Sequence, residues 1–226
     1  MQPSYLSWIG YFGLMDLVDE FVILDSVQFD RRSWQQRNQI KTPDGPAWLT
    51  VPVHSKGKRS QLIKDVEIDV DRNFVKSHIR SIEQNYANAP HFNAYAPALF
   101  ELLQQGHELL SGLTIELIEW FRGCLGIETP MRRASKMSCD GAKDILLANI
   151  CRELGADVYV SPAGSKPYLD GSPVFGEYSI EIRYFDFAHP SYRQLHGEFV
   201  PYMSIIDLLF NVGDESLAVI RQGAQT

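Results

Sequence analysis

A helix, a glycine stop and a short buried strand follow one another in the second half of the chain, and this succession constrains the fold more than any other feature. Gly141 to Leu154 carries apolar side chains at helical spacing, Gly155 ends the helix, and Asp157 to Ser161 reads as a buried strand. Helix followed at once by buried strand is typical of one half of a βαβ unit. The sequence therefore predicts an α/β fold with a Rossmann-like sheet that has a parallel core.

The N-terminal part of the chain predicts a β-hairpin inserted beside this core. Two strand-like segments, Trp34 to Thr42 and Ala47 to Val53, flank the turn-forming residues Thr42 to Pro46. The density of β-branched and aromatic residues predicts a strand from Phe21 to Phe29 before the hairpin, and we expect another from Gln61 to Val70 after it.

Three helices are expected in the middle of the chain, where they would form a helical sub-lobe over about residues 71–127. They are predicted to begin at Asp71, near Pro97 and at Ser111, and the third is predicted to end at Gly126. The middle of the chain therefore contrasts with the strand-rich segments on either side of it.

The remaining elements complete one compact unit. We expect short strands from Met131 to Lys136 and from Ser179 to Phe187, and a closing helix from Val200 to Phe210. A chain of 226 residues with 45% hydrophobic content can bury a full core, which suits a single domain spanning residues 1–226.

Composition and charge exclude several classes of protein. The formal net charge of −7 and the pI of about 5.4 argue against general nucleic-acid binding, which needs a basic surface. No P-loop or metal-ligand spacing occurs, so we predict no metal site and no cofactor. The cysteines, Cys124, Cys139 and Cys151, are widely spaced and are expected to be reduced. Without a run of about eighteen apolar residues or a signal peptide, we expect a cytoplasmic protein with no membrane span.

The stretch from Asp25 to Lys41 is the first candidate for a binding site, because almost every side chain in it can form hydrogen bonds. Its guanidinium groups, amides and indole come mainly from Gln28, Arg31, Arg32, Trp34, Arg37 and Asn38. Planar, permanently charged forks beside amides and a flat apolar face suit a phosphorylated sugar or a nucleotide. The alternative interpretation is a solvated hairpin face whose charges pair with nearby carboxylates.

Two later loops carry further candidates. Pro162 to Leu169 follows a strand, at the place where ligands lie in open α/β sheets, and its Lys166 has the charge to bind a phosphate or a carboxylate. The second loop, His189 to Phe199, contributes His189, Tyr192, Gln194 and His196. The histidines of the helical middle are expected to have structural roles.

The segment Trp8-Ile9-Gly10-Tyr11 is similar to the H-x-G-H signature of nucleotidylyl transferases, with an aromatic residue in place of each histidine. Since those histidines hold the transferring phosphate, the similarity favours a nucleotide-shaped pocket rather than nucleotidyl chemistry. A structural aromatic cluster is the alternative. Asp207 lies in an apolar helix and is expected to pair with an arginine of residues 25–41.

Five segments are long and unusual in composition: MQPSYLSWIGYF, FVILDSVQFDRRSWQQRNQIK, WLTVPV, GADVYVSPAGSKPYL and HPSYRQLHGEFVPYMSIIDLLFN. Together they resemble the WbqC-like family of bacterial proteins over residues 1–213. Members are found among genes for O-antigen and other surface polysaccharides, and some are described as glycine transferases. The resemblance implies a transferase that modifies an amino sugar or a sugar nucleotide by glycyl or acyl transfer in surface polysaccharide biosynthesis, lipopolysaccharide included.

This sequence departs from the family pattern at two points. Members usually begin with a short apolar strand ahead of the residues that match Met1-Gln2-Pro3, and a proline is common where Ser7 stands. The resemblance therefore implies that the central strand of the expected sheet is absent from this sequence.

We expect the candidate residues to meet at one edge of the sheet and to bind an anionic small molecule, such as a sugar nucleotide or an acyl or aminoacyl donor. The substrate-binding set is Gln2, Tyr5, Trp8, Tyr11, Gln28, Arg31, Arg32, Trp34, Arg37, Asn38, Lys166, Tyr192 and Gln194. In acyl transfer, His189 or His196 would take the proton from the attacking amine and Asp25 would orient that histidine. Gln28 or Asn38 would stabilise the oxyanion.

Two other functions stay open at this point. A non-catalytic protein that binds a sugar nucleotide or glycan precursor, and that partners an enzyme of the polysaccharide pathway, would show affinity without turnover. A protein that takes an aminoacyl group from tRNA would place Lys56, Lys58 and Arg59 on the acceptor stem, and its binding would weaken steeply with salt.

Overall fold

The structure, a computed structural model, describes residues 1–225 and has a mixed α/β fold. The helices are α1 (Ile9–Leu17), α2 (Phe74–Tyr86), α3 (Phe92–Leu103), α4 (Leu110–Leu125), α5 (Lys143–Leu154), α6 (Lys166–Leu169), α7 (Pro173–Glu177), α8 (Ile205–Val212) and α9 (Ser216–Gly223). The strands are β1 (Phe21–Ile23), β2 (Arg37–Thr42), β3 (Gly45–Thr50), β4 (Met131–Arg133), β5 (Val158–Pro162), β6 (Glu181–Phe187) and β7 (Ala224–Gln225). None of these helices is long and apolar enough to cross a membrane.

The strands form three small sheets. β1 runs parallel to β4, β5 runs parallel to β6, and β7 lies antiparallel on the other edge of β6. The α/β class is as predicted, but the parallel pairs do not join into the extended Rossmann-like sheet that the sequence suggested. They stay separate because, in the described part of the chain, no strand lies between β1 and β5 to connect them.

The hairpin of β2 and β3 forms as predicted, with Gln39 opposite Trp48 and Thr42 opposite Gly45. Gly45 has a φ of 104°, which a glycine adopts without strain. The Thr42 hydroxyl closes the turn, since it donates to the Gly45 carbonyl at 2.7 Å and accepts from the Asp44 amide at 3.2 Å. Turn chemistry therefore fixes the register of this pair.

The helical middle differs from the prediction at two helix starts. α2 begins at Phe74 instead of Asp71, because residues Val70–Arg72 form a separate turn of 3-10 helix. α4 and α5 stop where predicted, because Gly126 and Gly155 take left-handed conformations just past their last residues. α3 begins at Phe92 instead of Pro97, which lies inside the helix. Packing of the Phe92 ring on Phe210, with ring centroids 5.3 Å apart, accompanies the extra turn.

Three predicted strands are shorter than expected or absent. The strand predicted from Met131 to Lys136 ends at Arg133 and is followed by a turn of 3-10 helix. Of the segment Phe21 to Phe29, only the first three residues are a strand. The segment Gln61 to Val70 forms turns of 3-10 helix and isolated bridges, among them Val53 with Ile68 and Glu67 with Leu109. Its apolar residues are buried against scattered partners instead of one neighbouring strand, so strand-like composition did not give a strand.

The core is built around α1 and α8. Ile9, Phe12 and Met15 of α1 have no exposed surface, and every residue of α8 from Ile205 to Phe210 is likewise buried. α1 packs on α9 and β7, whereas α8 packs on α3, α9 and β2. α8 begins at Ile205, later than the predicted Val200, because the Ser204 hydroxyl accepts a hydrogen bond from the Ile206 amide and caps the helix there.

Candidate functional site

A cavity of about 1000 Å³ opens between β1 and β5. Its inner part is lined by Phe21 and Val22 of β1, by Leu24 just after that strand, by the residues of β5 from Val158 to Pro162, and by apolar side chains of α1 and α5. Its outer part carries amides, hydroxyls and aromatic rings, and we call this part the rim. The rim consists of Gln2, Ser4, Trp8, Ser33, Trp34, Gln35, Ser165, Tyr168 and Tyr202.

The rim is assembled by hydrogen bonds between loops that are distant in sequence. The Gln35 side-chain amide donates to Oε1 of Gln2 at 2.8 Å, and Oε1 of Gln35 accepts from the Asp30 amide at 3.0 Å. Trp34, Tyr168 and Tyr202 are each more than half exposed. A flat ligand entering the rim therefore meets aromatic faces that are open to solvent.

The structure brings only part of the predicted binding set to this cavity. Gln2, Trp8, Tyr11 and Trp34 line it. The loop that holds Ser33 and Trp34 also holds Arg31 and Arg32, which are exposed. Their positive charges therefore lie on the rim-forming loop, outside the cavity wall.

The arginines of this stretch lack carboxylate partners. Within residues 1–225, six arginines lie within 4 Å of an Asp or Glu oxygen, but Arg31, Arg32 and Arg37 are not among them. The alternative interpretation, in which the charges of this stretch pair with nearby carboxylates, therefore does not hold for these three arginines in the described residues. In a chain of net charge −7, unpaired guanidinium groups are available to an anionic ligand.

Arg37 belongs to an aromatic stack on the hairpin. Its guanidinium carbon lies 4.2 Å from the centroid of the Trp48 ring, and the Trp48 and Trp34 rings are 5.3 Å apart. Such a cation over an indole face is held by the ring quadrupole. Arg37 therefore orients the exposed Trp34 through Trp48.

Other members of the predicted binding set hold loops together. The Tyr5 hydroxyl is hydrogen-bonded to Nδ1 of His78 at 2.8 Å, and the Asn38 side-chain amide donates to the Leu6 carbonyl at 2.7 Å; both side chains are buried. The Gln28 amide donates to the Arg59 carbonyl at 2.9 Å. The contacts of these three groups lie away from the cavity.

Asp25 was expected to orient a histidine, and its contacts are different. Its carboxylate has no exposed surface and accepts from Nε of Arg133 at 2.8 Å, from the Ser135 amide at 2.8 Å and from the Ser135 hydroxyl at 2.6 Å. Among the described contacts, neither His189 nor His196 reaches it. Asp25 instead fastens the turn that follows β1 to the turn that follows β4.

His189 lies in a cluster of aromatic rings. Its centroid is 6.4 Å from that of Trp8 and 6.3 Å from that of Tyr192, and Phe199 and Tyr202 are also adjacent. Nδ1 lies 3.0 Å from the Pro190 carbonyl, which can only accept, so Nδ1 carries the hydrogen and Nε2 has a free lone pair. Nε2 is buried and has no described partner. Burial lowers the pKa of His189, and the ring is therefore a neutral base near pH 7.

His196 is placed differently. Its Nε2 lies 2.8 Å from the Asn85 carbonyl of α2, an acceptor, so this nitrogen donates. The residue has a φ of 63°, in the left-handed region. His196 thus ties its loop to α2, and its Nε2 is not free to take a proton.

Asp207 is the centre of a buried polar network, and it does not pair with an arginine as the sequence suggested. Oδ1 accepts from the Tyr86 hydroxyl at 2.9 Å, whereas Oδ2 accepts from the Tyr192 hydroxyl at 2.8 Å and the Gln194 amide at 2.7 Å. Burial raises the pKa of Asp207, and these donors oppose the rise. Nearby, Nζ of buried Lys41 donates to the Glu198 carbonyl at 2.5 Å.

The segment after β5 was predicted as a loop, but the structure has a turn of 3-10 helix, Ala163–Ser165, followed by α6. It contributes hydroxyl groups more than charge. The hydroxyls of Ser161 and Ser165 are hydrogen-bonded to each other, and Ser165 also donates to the Pro162 carbonyl at 2.6 Å. The Lys166 ammonium lies 5.5 Å from the Tyr184 ring centroid and is not among the lining residues.

The cysteines offer neither a metal site nor an activated nucleophile. Cys151 lines the cavity, but burial raises the pKa of its thiol to about 11. No cluster of three or more His, Cys, Asp or Glu side chains able to hold a metal occurs between residues 1 and 225. All three cysteines are free thiols.

Several residues of the site were missed by sequence reasoning. Tyr168 lies in α6, within the segment after β5 that the sequence had already indicated as a place for ligands, so its position was a usable signal. Tyr202 and Tyr86 offered none, because the contacts that place them come from residues distant in sequence.

Comparison with known proteins identifies one family and one curated relative. Residues 2–219 match a family described as "WbqC-like protein family". A curated protein of Mycobacterium tuberculosis (strain ATCC 25618 / H37Rv), named "Uncharacterized protein Rv1507c", is 40% identical over 223 residues, which cover 98% of this chain and 96% of that protein. No solved structure matches the chain.

Proposed function

The chain belongs to the WbqC-like protein family, and on that premise we propose that it is a transferase that moves a glycyl or other acyl group onto an amino sugar or a sugar nucleotide. The reaction would serve bacterial surface polysaccharide biosynthesis and would take place in the cytoplasm, where activated donors are made. The observation that carries the proposal is the group of arginines without carboxylate partners on and beside the loop that forms the rim.

The ligand would bind at the rim with its anionic group toward Arg31 and Arg32. Bidentate bonds from guanidinium to phosphate supply both energy and orientation. The exposed faces of Trp34 and Tyr168 would stack on a base or a sugar ring, and the amides of Gln2 and Gln35 would bind its hydroxyls. The rim thus provides each kind of contact that a sugar nucleotide needs.

His189 is the best-placed base for the transfer step. When an amine attacks an activated carbonyl, a C–N bond forms, the bond to the leaving group breaks, and the attacking nitrogen loses a proton. Nε2 of His189 has a free lone pair, and its neighbours Trp8 and Tyr202 both line the cavity. Movement of either ring would open a path from the ligand to this base.

A thermal-shift screen tests the binding step. Sugar nucleotides, acyl-CoAs and aminoacyl compounds are added to the wild-type chain, to Arg31→Ala and to the control Arg80→Ala, an exposed arginine of α2. The proposal expects a rise in Tm with at least one compound, retained in the control and lost in Arg31→Ala. No response to any of them, or an equal response in both variants, would contradict it.

A mass-spectrometric assay tests the transfer. The compound that raises Tm is incubated with an amino-sugar acceptor or an acyl donor, and the acceptor is examined for the added acyl group. A mass increase that requires the protein supports the transferase.

A non-catalytic binding protein is the second candidate function. It is favoured by one observation: in the described part of the cavity no serine or cysteine is hydrogen-bonded to a histidine. Such a protein would present the ligand to an enzyme of the polysaccharide pathway. It would give the same Tm response at the rim but no modified acceptor.

An aminoacyl-tRNA donor remains a version of the transferase proposal. Lys56 and Arg59 are exposed on the loop after β3, whereas Lys58 is paired with Glu67 at 2.6 Å. Contacts to tRNA phosphates would make binding weaken steeply as salt rises. Binding that is unchanged between low and high salt would exclude this donor.

A further inference from the structure

The exposed aromatic residues of this protein are gathered in one place. Among residues 1–225, the Trp, Tyr and Phe residues that are exposed are Trp34, Trp48, Tyr168 and Tyr202. Three of them belong to the rim, and the Trp48 ring lies 5.3 Å from the ring of Trp34. Exposed apolar side chains that are scattered singly need no explanation, but a group of them marks an interaction site.

Two loops beside this aromatic group, the one that contains Trp34 and the one that follows β3, are fastened together at both ends. The Phe29 amide donates to the Gln61 carbonyl at 2.9 Å, and the Val51 amide donates to the Gln36 carbonyl at 2.8 Å. The two loops therefore lie side by side and form one surface.

This surface is cationic although the whole chain is acidic. Residues 31–60 hold seven of the 21 Lys and Arg residues but only one of the 28 Asp and Glu residues. Among residues 1–225, five of these cations lie outside every ion pair: Arg31, Arg32, Arg37, Lys56 and Arg59. An acidic body with one cationic face is attracted to a polyanionic surface in a single orientation.

Exposed indole and phenol rings beside Lys and Arg suit the surface of a membrane. Trp and Tyr concentrate at the boundary between water and lipid, because their rings are apolar and their NH or OH groups are polar. Lys and Arg at the same level are attracted to anionic headgroups. This surface presents both kinds of side chain to solvent, so it needs no rearrangement to meet a bilayer.

The geometry of the two tryptophans favours a bilayer over single-stranded nucleic acid, which also binds cationic and aromatic surfaces. Successive bases stack on open aromatic faces. The rings of Trp34 and Trp48 are inclined at 40° to each other, and the Arg37 guanidinium covers one face of Trp48 at 4.2 Å. The pair therefore does not offer two parallel open faces to neighbouring bases.

We infer that the exposed aromatic residues and the five unpaired cations form a docking face that binds the surface of an anionic phospholipid bilayer. Trp34 and Trp48 would lie among the headgroups, and Lys56 and Arg59 would lie against the lipid phosphates. The contact is peripheral and points the rim toward the membrane. It goes beyond the proposed transfer, because a protein without transfer activity would bind the bilayer in the same way.

Sedimentation with vesicles tests the docking face. The wild-type chain should bind vesicles of phosphatidylglycerol and phosphatidylcholine in equal parts, should bind far less to phosphatidylcholine alone, and should be released by about 1 M salt. The double variant Lys56→Gln/Arg59→Gln should bind about tenfold to thirtyfold more weakly. The matched control Lys76→Gln/Arg80→Gln, which removes the same charges from exposed positions of α2, should bind like the wild type.

Fluorescence quenching by brominated lipids is a second measurement that needs no charge variant. Bromine on the acyl chains close to the headgroups quenches indoles that lie at the boundary of the bilayer. The fluorescence of the wild-type chain should fall when it binds such vesicles. The fall should be smaller in Trp34→Phe and in Trp48→Phe, and unchanged in the control Trp120→Phe of α4.

Several results would overturn the docking face: no binding to anionic vesicles, equal binding to both kinds of vesicle, an equal loss in the two double variants, or no quenching of Trp34 and Trp48. A labelled single-stranded RNA of about ten nucleotides is the competing ligand. Binding of this RNA without binding of vesicles would assign the face to nucleic acid and would also overturn the inference. None of these results depends on the screen with sugar nucleotides, so the two proposals fail separately.

Discussion

The hydroxyl of Tyr192 donates a hydrogen bond of 2.8 Å to Oδ2 of Asp207, a carboxylate with no exposed surface. The bond joins the irregular segment after β6 to the most deeply buried helix of the fold. No Lys, Arg or His side chain lies within ion-pair distance of Asp207 in residues 1–225, so its charge is stabilised mainly by neutral hydrogen-bond donors and, over a longer distance, by the ammonium of Lys41.

Replacing that donor should destabilise the fold in a pH-dependent way. We expect Tyr192→Phe to lower the free energy of unfolding at pH 7 by about 1.5–3 kcal/mol, since a hydrogen bond to a buried charge is lost. Burial already raises the pKa of Asp207 and the hydroxyl opposes that rise, so the variant's pKa lies higher still. As pH falls from 7 through that pKa, protonation of Asp207 stabilises the folded variant more than the folded wild type. The difference between their free energies of unfolding therefore becomes smaller.

Urea unfolding across this pH range measures the effect. Tyr184→Phe is the matched control, because the Tyr184 hydroxyl donates to Asp170 at the surface at 2.6 Å. It should show little change at any pH. If the loss of stability in Tyr192→Phe stayed constant or grew as pH falls, the Tyr192 hydroxyl would not be a donor to the charged Asp207 carboxylate.

Gly10 should resist substitution because of Trp8. A Cβ at Gly10 would lie 2.2–2.6 Å from atoms of the Trp8 indole, which must then move. We expect Gly10→Ala to cost about 1–3 kcal/mol in the free energy of unfolding. Gly123→Ala, in the exposed part of α4 with nothing within 4 Å of its Cβ, should instead stabilise by about 0.5–1 kcal/mol. Similar results from the two glycines in denaturant melts would rule out the steric explanation.

The ion pair of Asp25 and Arg133 should stabilise the fold more than the adjacent pair of Glu20 and Arg132. Arg133→Met removes a charged donor at 2.7–2.8 Å from a fully buried carboxylate, so a loss of about 2–3 kcal/mol is expected. Arg132→Met breaks only a solvent-exposed pair with Glu20 and should cost less than about 1 kcal/mol. Chemical denaturation of both variants makes the comparison, and equal losses would refute it.

His189 should control the pH dependence of any transfer activity. We expect His189→Gln to lower kcat by about a hundredfold or more, with KM little changed, if the imidazole takes the proton of the attacking amine. Burial lowers the pKa of His189, so the wild-type rate should fall only when pH drops below that lowered value. His54→Gln, at an exposed position, is the control. A pH profile that His189→Gln leaves unaltered would assign the base elsewhere.

Local chemistry explains the parts of the fold that the sequence predicts well. The hairpin turn, with Gly45 at positive φ, and the helix ends at Gly126 and Gly155 depend on residues within a few positions of each other. The strand expected from Gln61 to Val70 failed because its composition reports burial, and burial here is supplied by isolated bridges to three different segments.

The site was less predictable because its partners are far apart in sequence. Asp25 is separated from Arg133 by 108 residues and Tyr86 from Asp207 by 121, and nothing local indicates either pair. The polar stretch was found from composition alone, yet composition could not separate exposed Arg31 from buried Asn38. Which side chain faces a ligand and which fastens a loop is decided by tertiary contacts.

The segment between β6 and α8 contains no helix or strand, and side chains attach it to the body at Lys41, Asn85 and Asp207. These hydrogen bonds can break without unfolding any helix or strand. The aromatic rings that the segment places around His189, Tyr202 among them, would then move away from the cavity together with the segment. A protease should therefore nick the protein here before it cuts elsewhere, and a compound seated against Tyr202 should delay that first cleavage.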